Sequence, residues 1–286
     1  MRIVVTGAGG QLGRQLAELV GQGQGSLEWR FVTHDEWDVA DYQSGRDFLS
    51  SYGVDLVVNC AAFTAVDRAE SVPDEAYRAN AQAPEVLLKL AEEEDFRLIQ
   101  ISTDYVFNGQ HAQPLRELDS PNPACIYAIS KHAGELAILH SPRALVIRTG
   151  WLYSVYGHNF FLTMARRCQQ GEMSRVVYDQ VGTPTWCGSL AGAIETIVEA
   201  PEWRPGLYHF ADQGVASWYD FAHAIYEALG MPTGVTPILT RDFPQAAPRP
   251  AYSVLDCRMI ERTFDIKRHH WHEQLMRCLA AYGHRA

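Results

Sequence analysis

Short apolar runs alternate with longer amphipathic segments through the first half of the chain. The apolar runs predict β-strands over residues 3–6, 30–33, 55–59, 97–102 and 144–148. The amphipathic segments predict helices over residues 11–20, 74–93 and 127–139. Strands that alternate with helices are joined by right-handed crossovers into a parallel sheet covered on both faces. Residues 1–150 are therefore predicted to form a doubly wound α/β domain.

The pattern loosens after residue 148 into segments that contain Tyr, Trp and Pro residues. Helices are predicted there over residues 160–170, 189–199, 218–229 and 260–282. A short apolar run at 206–210 predicts a buried strand, and segments around 179–222 are expected to return to the main sheet. The linker-like stretch is the Pro-rich segment 243–250. Residues 151–286 are predicted to form mainly a smaller, partly interleaved C-terminal substrate-binding domain.

The composition indicates a small-molecule ligand rather than a nucleic acid or a membrane. The formal net charge is −10, and 47% of the 286 residues are hydrophobic. The chain has no basic footprint for nucleic acid and no apolar stretch of about 18 residues that would span a membrane. Because no signal-peptide pattern follows Met1, we expect a cytoplasmic protein. Six scattered cysteines without a metal-ligand spacing are expected to be reduced thiols, and no metal is predicted.

A glycine-rich segment follows the first predicted strand. Gly7, Gly10 and Gly13 form a GxxGxxG pattern between that strand and the first helix. Glycine permits a tight turn and a close approach of the backbone to a pyrophosphate, which then lies at the helix N-terminus. The pattern predicts a Rossmann-like dinucleotide site that includes Gln11 and Leu12. The alternative is a glycine-rich turn without a ligand.

The choice of dinucleotide depends on the end of the second strand, which is predicted near Thr33. A carboxylate at that position bonds the adenosine ribose and disfavours a 2′-phosphate. The strand end itself carries no acid, which favours NADPH, but Asp38 is close enough to keep NADH possible. Thr33, Asp38 and Val39 are assigned to the cofactor site. The end of the third strand is predicted to approach the cofactor ribose and supplies Ala61, Ala62 and Thr64.

Tyr127 and Lys131 are four residues apart, so a helix places their side chains on one face. A phenol has a pKa of about 10, and a nearby ammonium group favours its ionised form. The pair therefore predicts a proton donor that is tuned by a lysine. The alternative is a surface lysine beside a half-buried tyrosine. The chain has 13 tyrosines but only three lysines, which makes the spacing improbable by chance.

The fourth predicted strand ends at two residues with hydroxyl groups, Ser102 and Thr103. In an open α/β sheet, ligands bind at the carboxyl ends of the strands. Thr103 is therefore predicted to hydrogen-bond a substrate carbonyl, while Tyr127 supplies a proton and the dinucleotide supplies a hydride. Ser102 is assigned to the cofactor site. The alternative is that both hydroxyls only bond the backbone.

The glycine turn together with Thr103, Tyr127 and Lys131 resembles the extended short-chain dehydrogenase/reductase superfamily, and the resemblance covers nearly the whole chain. Longer strings are similar to the dTDP-4-dehydrorhamnose reductase family and lie at residues 59–67, 102–109, 148–153, 179–185 and 249–253. The resemblance implies that NADPH or NADH reduces the C4 ketone of a nucleotide-linked 6-deoxy-4-keto sugar, dTDP-4-dehydro-L-rhamnose. It gives the three side chains catalytic roles, with Lys131 also bonding the nicotinamide ribose.

The same resemblance implies a set of substrate-binding residues. The set contains Val66, Thr103, Asp104, Tyr127, Trp151, Asn159 and Arg249, with segment 179–184 as a further candidate. An anionic diphosphate favours the bidentate guanidinium group of Arg249, whereas core packing is the alternative role for Trp151. Sugar-nucleotide dehydratases of the superfamily carry a glutamate where this chain has Tyr105. The resemblance therefore favours ketone reduction over dehydration.

Some members of the resembled family bind magnesium through glutamates across a homodimer. The matching position here is Gln15, and residues 187–190 supply no carboxylate. A neutral amide is a poor ligand for a hard dication, so a monomer or a weak metal-free homodimer is expected. Two alternatives to the main function stay open. The first alternative is a reductase of a different nucleotide-linked 4-keto sugar, and the second is a non-catalytic dinucleotide-binding subunit, similar to the regulatory subunit of methionine adenosyltransferase.

Overall fold

The structure, a computed structural model, describes residues 1–21 and 27–283. Residues 22–26 and 284–286, which fall in the predicted ranges 1–150 and 151–286, lie outside the described residues. The strands are β1 (Arg2–Thr6), β2 (Glu28–Val32), β3 (Leu56–Asn59), β4 (Arg97–Thr103), β5 (Ala144–Thr149), β6 (Leu152–Tyr153), β7 (Ser174–Val177), β8 (Val181–Gly182), β9 (Thr185–Trp186), β10 (Gly206–His209), β11 (Ala216–Ser217) and β12 (Val235–Ile238). The helices are α1 (Gln11–Gly21), α2 (Tyr42–Ser51), α3 (Val66–Ala69), α4 (Pro73–Tyr77), α5 (Ala83–Glu94), α6 (Ile126–Ile138), α7 (Phe160–Gln169), α8 (Cys187–Glu199), α9 (Trp218–Ala228), α10 (Arg258–Phe264) and α11 (Trp271–Gly283).

The main sheet contains six parallel strands in the order β10-β5-β4-β3-β1-β2. The chain places β2 on one side of β1 and β3 on the other, so the strand order reverses at β1. Such a reversal opens a crevice at the carboxyl ends of the strands, where ligands bind. The sheet confirms the predicted doubly wound α/β fold. The strand predicted at 206–210 is its edge strand, beside β5.

Alternate residues of each central strand point to opposite faces of the sheet, and each face carries its own core. Ile3 and Val5 belong to the core beneath α1 and α8, which also contains Ile194. Val4 belongs to the core beneath α2, α5 and α6, together with Leu87. Strands buried on both faces read as continuous apolar runs in the sequence. This explains why the strands were predicted from short apolar runs rather than from strict alternation.

A ladder of buried polar side chains joins three strands near their carboxyl ends. Thr6, Asn59 and Gln100 stand in register across β1, β3 and β4. The Thr6 hydroxyl donates to Asn59 Oδ1 at 2.6 Å, and Asn59 Nδ2 donates to Gln100 Oε1 at 2.7 Å. Gln100 Nε2 then donates to the carbonyl of Ile101 at 2.9 Å. Because a slipped register would bury these groups without partners, the ladder fixes the strand ends that carry the ligand crevice.

The region after β5 adds a third core and several short strand pairs. Phe161, Phe221 and Leu275 pack between α7, α9 and α11. The short strands pair β7 with β12, β8 with β11 and β6 with β9. The division into two domains stays a prediction. Within residues 1–21 and 27–283, no helix is long and apolar enough to cross a membrane.

The helices differ from the predicted ones at four places, one of which is the short helix α3, which was not predicted. The predicted helix 260–282 is two helices, because Asp265 adopts a left-handed backbone conformation with φ 53° and ends α10. The predicted helix 74–93 contains a π-helical turn, Arg78–Gln82, between α4 and α5. The helix α2 was not predicted, although Asp41 caps it by accepting hydrogen bonds from two backbone N–H groups. A capping aspartate was therefore the available signal.

Candidate active site

The carboxyl ends of the central strands, the glycine turn and α6 surround a cavity of about 540 Å³. The predicted site residues that line it are Gly10, Gln11, Leu12, Gly13, Ala62, Thr64, Val66, Ser102, Thr103, Asp104, Tyr127, Lys131 and Trp151. The cavity therefore brings together residues predicted for the cofactor, for catalysis and for the substrate. Such a concave site, with a few convergent polar groups, is typical of a small-molecule site.

The glycine turn is packed so closely that two of its positions have no room for a side chain. Gly7 has a φ of +67°, and a Cβ added there would lie 2.7 Å from the backbone nitrogen of Ala61. A Cβ on Gly13 would lie 2.5 Å from the carbonyl oxygen of Gly7. The backbone nitrogen of Gly10 donates to that same oxygen at 2.9 Å. The turn thus packs closely against β3 and delivers the N-terminus of α1, which suits a dinucleotide pyrophosphate.

Tyr127 lies in the first turn of α6, with its ring in edge contact with Tyr105 at a centroid distance of 5.7 Å. Burial raises the pKa of the Tyr127 phenol above its usual range, and the Thr103 hydroxyl offsets only part of this effect. The phenol is therefore protonated at neutral pH, which is the form that a proton donor needs. The lowering of its pKa predicted from Lys131 is not found in this structure, where burial dominates.

Lys131 is one helical turn further along α6 and is only 4% exposed. Its Nζ donates to the carbonyl oxygen of Ile101 at 2.6 Å, the same oxygen that ends the polar ladder. Burial lowers the pKa of Lys131 to about 8, against the opposing effects of Glu135 and Cys60. The ammonium group is bonded to the end of β4, and its charge does not offset the effect of burial on the pKa of the Tyr127 phenol.

Thr103 and Asp104 follow one another where β4 ends, and both are buried. The Thr103 hydroxyl donates to Asp104 Oδ1 at 3.2 Å and accepts from the backbone nitrogen of Tyr105 at 3.2 Å. Burial raises the pKa of Asp104 to about 6, although the hydroxyls of Ser253 and Thr103 stabilise its charge. The site therefore holds a carboxyl group that takes up a proton near pH 6.

Two stacked tryptophans form one wall of the cavity. The rings of Trp151 and Trp218 are parallel within 3°, with centroids 3.6 Å apart. Trp151 has a φ of +52°, which is rare for a bulky residue and stores backbone strain at this wall. Trp218 was not predicted as a site residue. It opens α9 directly after the capping residue Ser217, and no spacing in the sequence links it to the catalytic residues.

A second cavity, of about 570 Å³, lies beside the first and shares Tyr105 and Trp218 with it. Its lining is mostly apolar and includes Phe160 and Phe243. The predicted residue Arg249 lies here rather than in the first cavity, and it bonds Asp67 Oδ2 at 2.7 Å through Nη2. Gln180, from the predicted segment 179–184, also lines this cavity, whereas Asp179 bonds Thr240.

Besides Gly7 and Ala61, which pack against each other at the glycine turn, four predicted residues line neither cavity. Thr33 is exposed and bonds Glu36, and Asp38 bonds Arg78 Nη2 at 2.5 Å. Val39 is buried in the core on the α2 side of the sheet. Asn159 caps α7 by accepting from the backbone nitrogen of Leu162, and its amide donates to Ser154, Tyr156 and Gln11. These partners are structural, so the geometry adds no support for ligand roles of the four residues.

Asn80 positions the site and was missed by the sequence prediction. Its side chain accepts from the backbone nitrogen of Phe63 at 2.9 Å and donates to the Phe63 carbonyl and to Ser130 Oγ. The backbone around it comes so close to α6 that a Cβ on Gly134 would lie 2.1 Å from the Asn80 carbonyl oxygen. Asn80 thereby fixes the loop after β3 against the helix that carries Tyr127. A buried asparagine inside an apolar helical pattern was the available signal.

The expected absence of a metal stays a prediction. Gln15 is buried and donates to Glu18 through its side-chain amide at 3.1 Å. In the part of the chain that the structure describes, no group of three or more His, Cys, Asp or Glu side chains is arranged to hold a metal ion.

A parallel sheet with a glycine turn at its topological switch point and a Tyr–Lys pair at its carboxyl edge defines a dinucleotide-dependent oxidoreductase of the Rossmann type. Residues 1–284 match the family described as RmlD substrate binding domain, and the chain belongs to this family.

Individual relatives agree with this assignment. The chain is 35% identical over 293 residues to a dTDP-4-dehydrorhamnose reductase of Aggregatibacter actinomycetemcomitans, which covers 99% of both chains. It is 39% identical over 258 residues to a probable dTDP-4,6-dihydroxy-2-methyloxan-3-one 4-ketoreductase of Streptomyces antibioticus, covering 89% of this chain and 86% of the relative. The crystal structure of a dTDP-4-dehydrorhamnose reductase of Bacillus anthracis in complex with NADP is 32% identical, with a TM-score of 0.93 and coverages of 98% and 99%.

Proposed function

We propose that this protein reduces the C4 ketone of a nucleotide-linked 6-deoxy-4-keto sugar with NADPH, and that its substrate is dTDP-4-dehydro-L-rhamnose. The observation that carries the proposal is the cavity in which Thr103, Tyr127 and Lys131 face the glycine turn. The names of the Aggregatibacter and Bacillus relatives support the sugar, and the bound NADP of the latter supports the cofactor.

The chain's own residues fit a dinucleotide. The glycine turn and the N-terminus of α1 would hold the pyrophosphate, and Lys131 would bond the nicotinamide ribose. When bound, NADPH supplies the hydride that the ketone carbon accepts. The small side chain of Ala62 leaves room for the ribose beside the end of β3.

Tyr127 would donate its phenolic proton to the ketone oxygen, which gains negative charge as the carbon is reduced. Its raised pKa fits this role, because the proton is still present at neutral pH. The Thr103 hydroxyl would hydrogen-bond the same oxygen and hold the carbonyl in place. After the step, the phenolate left on Tyr127 is stabilised by the positive charge of Lys131 one turn away.

The second cavity would hold the nucleotide end of the substrate. An apolar space suits a planar base, and the guanidinium group of Arg249 at this cavity suits a diphosphate. Tyr105 and Trp218 line both cavities, so a nucleotide sugar would extend past these two side chains from one cavity into the other.

The proposal extends to the setting of the reaction. The described cysteines are free thiols, which fits a reducing compartment and supports a cytoplasmic location. Gln15 supports a monomer or a weak homodimer without a bridging metal.

The test is NADPH oxidation with dTDP-, GDP- and UDP-linked 4-keto sugars, comparing the wild-type protein with Tyr127→Phe. We expect turnover of the dTDP sugar and a loss of at least about a hundredfold in kcat in the variant, because the proton donor is removed. The matched control is Tyr77→Phe at an exposed position on α4. An unchanged rate in Tyr127→Phe would remove the mechanism.

A second candidate is a reductase of a different nucleotide-linked 4-keto sugar. The similarity to the Streptomyces antibioticus protein favours it, because that relative is named for a different keto sugar. Preference for another sugar in the same panel would select this candidate. No turnover of any sugar, together with capture of a stoichiometric enzyme partner, would instead select the regulatory subunit.

A further inference from the structure

A buried ion pair lies directly beneath the catalytic helix. Glu135 follows Lys131 by four residues on α6, as Lys131 follows Tyr127, so the three side chains share one face of the helix. Glu135 is 1% exposed, and Arg148 of β5 is also 1% exposed. None of the catalytic roles described above uses either residue.

The Glu135 carboxylate is fully engaged by hydrogen bonds. Arg148 donates to both of its oxygens, through Nε at 2.8 Å and through Nη2 at 2.6 Å. Ser102, at the end of β4, donates its hydroxyl at 2.5 Å, and His132 Nδ1 lies 3.1 Å from the carboxylate. Burial alone would raise the pKa of Glu135, but Arg148, His132 and Ser102 lower it to about 2. Glu135 is therefore a permanent negative charge at neutral pH.

Lys131 needs such a charge, because a nearly buried ammonium group is costly without one. The carbonyl of Ile101 accepts its hydrogen bond but carries no charge. The ionisable groups near Lys131 are Tyr127 and Glu135, one helical turn away on either side of it, and Cys60 after β3, while Arg148 of β5 lies beyond Glu135. Burial raises the pKa of the Cys60 thiol to about 12, and the Tyr127 phenol is also neutral. Glu135 is thus the ionised acid among these groups.

We propose that Glu135 is a positioning residue of this active site: its carboxylate, clamped by Arg148 and Ser102, keeps Lys131 protonated and held against the Ile101 carbonyl. Arg148 lets the carboxylate stay ionised in the core, and Ser102 couples it to the strand that carries Thr103. The inference rests on the proposed function, since it assigns a further side chain to the same reaction. It concerns the state of Lys131 before any ligand binds.

The charge of Lys131 can be measured without substrate. The chain has only three lysines, so protein labelled with ¹³C at the lysine Cε gives three signals, assigned with Lys89→Arg and Lys267→Arg. In the wild type we expect the Lys131 signal to titrate near pH 8. In Glu135→Gln we expect its midpoint to fall by at least about one pH unit, because a neutral amide cannot offset burial. The control Glu92→Gln, at an exposed position on α5, should leave it unchanged.

A second variant covers the case in which Glu135→Gln does not fold. Glu135→Gln leaves the charge of Arg148 buried without a partner, which is strongly destabilising. Glu135→Gln combined with Arg148→Met removes both charges and avoids this penalty. The Lys131 midpoint should fall in the double variant as well, and the basic limb of the kcat/KM profile should move to lower pH with it. An unchanged midpoint in a folded variant, or a wild-type midpoint below pH 7, would overturn the proposal. If only the proposed function were wrong, Lys131 would titrate as expected but the protein would turn over none of the keto sugars.

Discussion

Asp104 gives the sharpest prediction about stability, because the site holds its carboxyl group at a cost. The side chain is 2% exposed, and the backbone of Gly150 is so close that an added Cβ would lie 2.4 Å from Asp104 Cγ. Burial raises its pKa from 3.8 to about 6. One pKa unit corresponds to about 1.4 kcal/mol, so the ionised form destabilises the folded protein by about 3 kcal/mol.

The sign of the pH dependence follows from the raised pKa. Below pH 3.8 the folded and unfolded chains are both protonated at this position, and the penalty is absent. Between that pH and about pH 6 only the unfolded chain ionises, so stability falls as the pH rises. Above pH 6 the full penalty is present. Asp104→Asn keeps the shape of the side chain and removes this titration.

We expect Asp104→Asn to gain stability relative to the wild type as the pH rises. About half of the full penalty, roughly 1.4 kcal/mol, should develop between pH 5 and pH 8. The measurement is the free energy of unfolding in urea at both pH values for the wild type, the variant and the control Asp47→Asn, at an exposed position on α2. A difference between variant and wild type that is the same at pH 5 and pH 8 would refute the reasoning.

Two further predictions concern the cofactor and metal ions. Gly7→Ala should weaken NADPH binding in a fluorescence titration, because the positive φ costs an L-residue about 1–2 kcal/mol and the new Cβ would clash with the backbone of Ala61. The control Gly9→Ala should bind NADPH as the wild type does, because a Cβ added there has no atom within 4 Å. Neither EDTA nor added Mg²⁺ should change the turnover or the elution volume of the protein in gel filtration, because the side chain of Gln15 is a neutral amide. A larger species that forms only with Mg²⁺ would contradict this prediction.

Short-range signals predicted the centre of the site. The glycine spacing located the turn after β1, and the four-residue spacing located Tyr127 and Lys131 on one helix face. These patterns report local geometry, which neighbouring residues in the chain determine.

Long-range contacts explain the rest. Trp218 reaches the cavity only because α9 packs beside Phe160, and Glu135 meets Arg148 only because α6 covers β5. Sequence spacing carries no information about such meetings. The substrate role of Asn159 stays a prediction, and the structure adds a capping role at the start of α7 that an asparagine directly before a helix also signals.

Under the proposed function, the wall of Tyr105 and Trp218 that the two cavities share would separate recognition of the nucleotide from the reaction at the sugar. Apart from Tyr105 and Trp218, the second cavity is built mainly from α7, β7, Gln180 and the segment 243–249, none of which carries Thr103, Tyr127 or Lys131. Substitutions in those segments would therefore change which nucleotide the second cavity binds, while the reacting groups stay in place. With this layout, specificity for the nucleotide could change while Thr103, Tyr127 and Lys131 keep their positions.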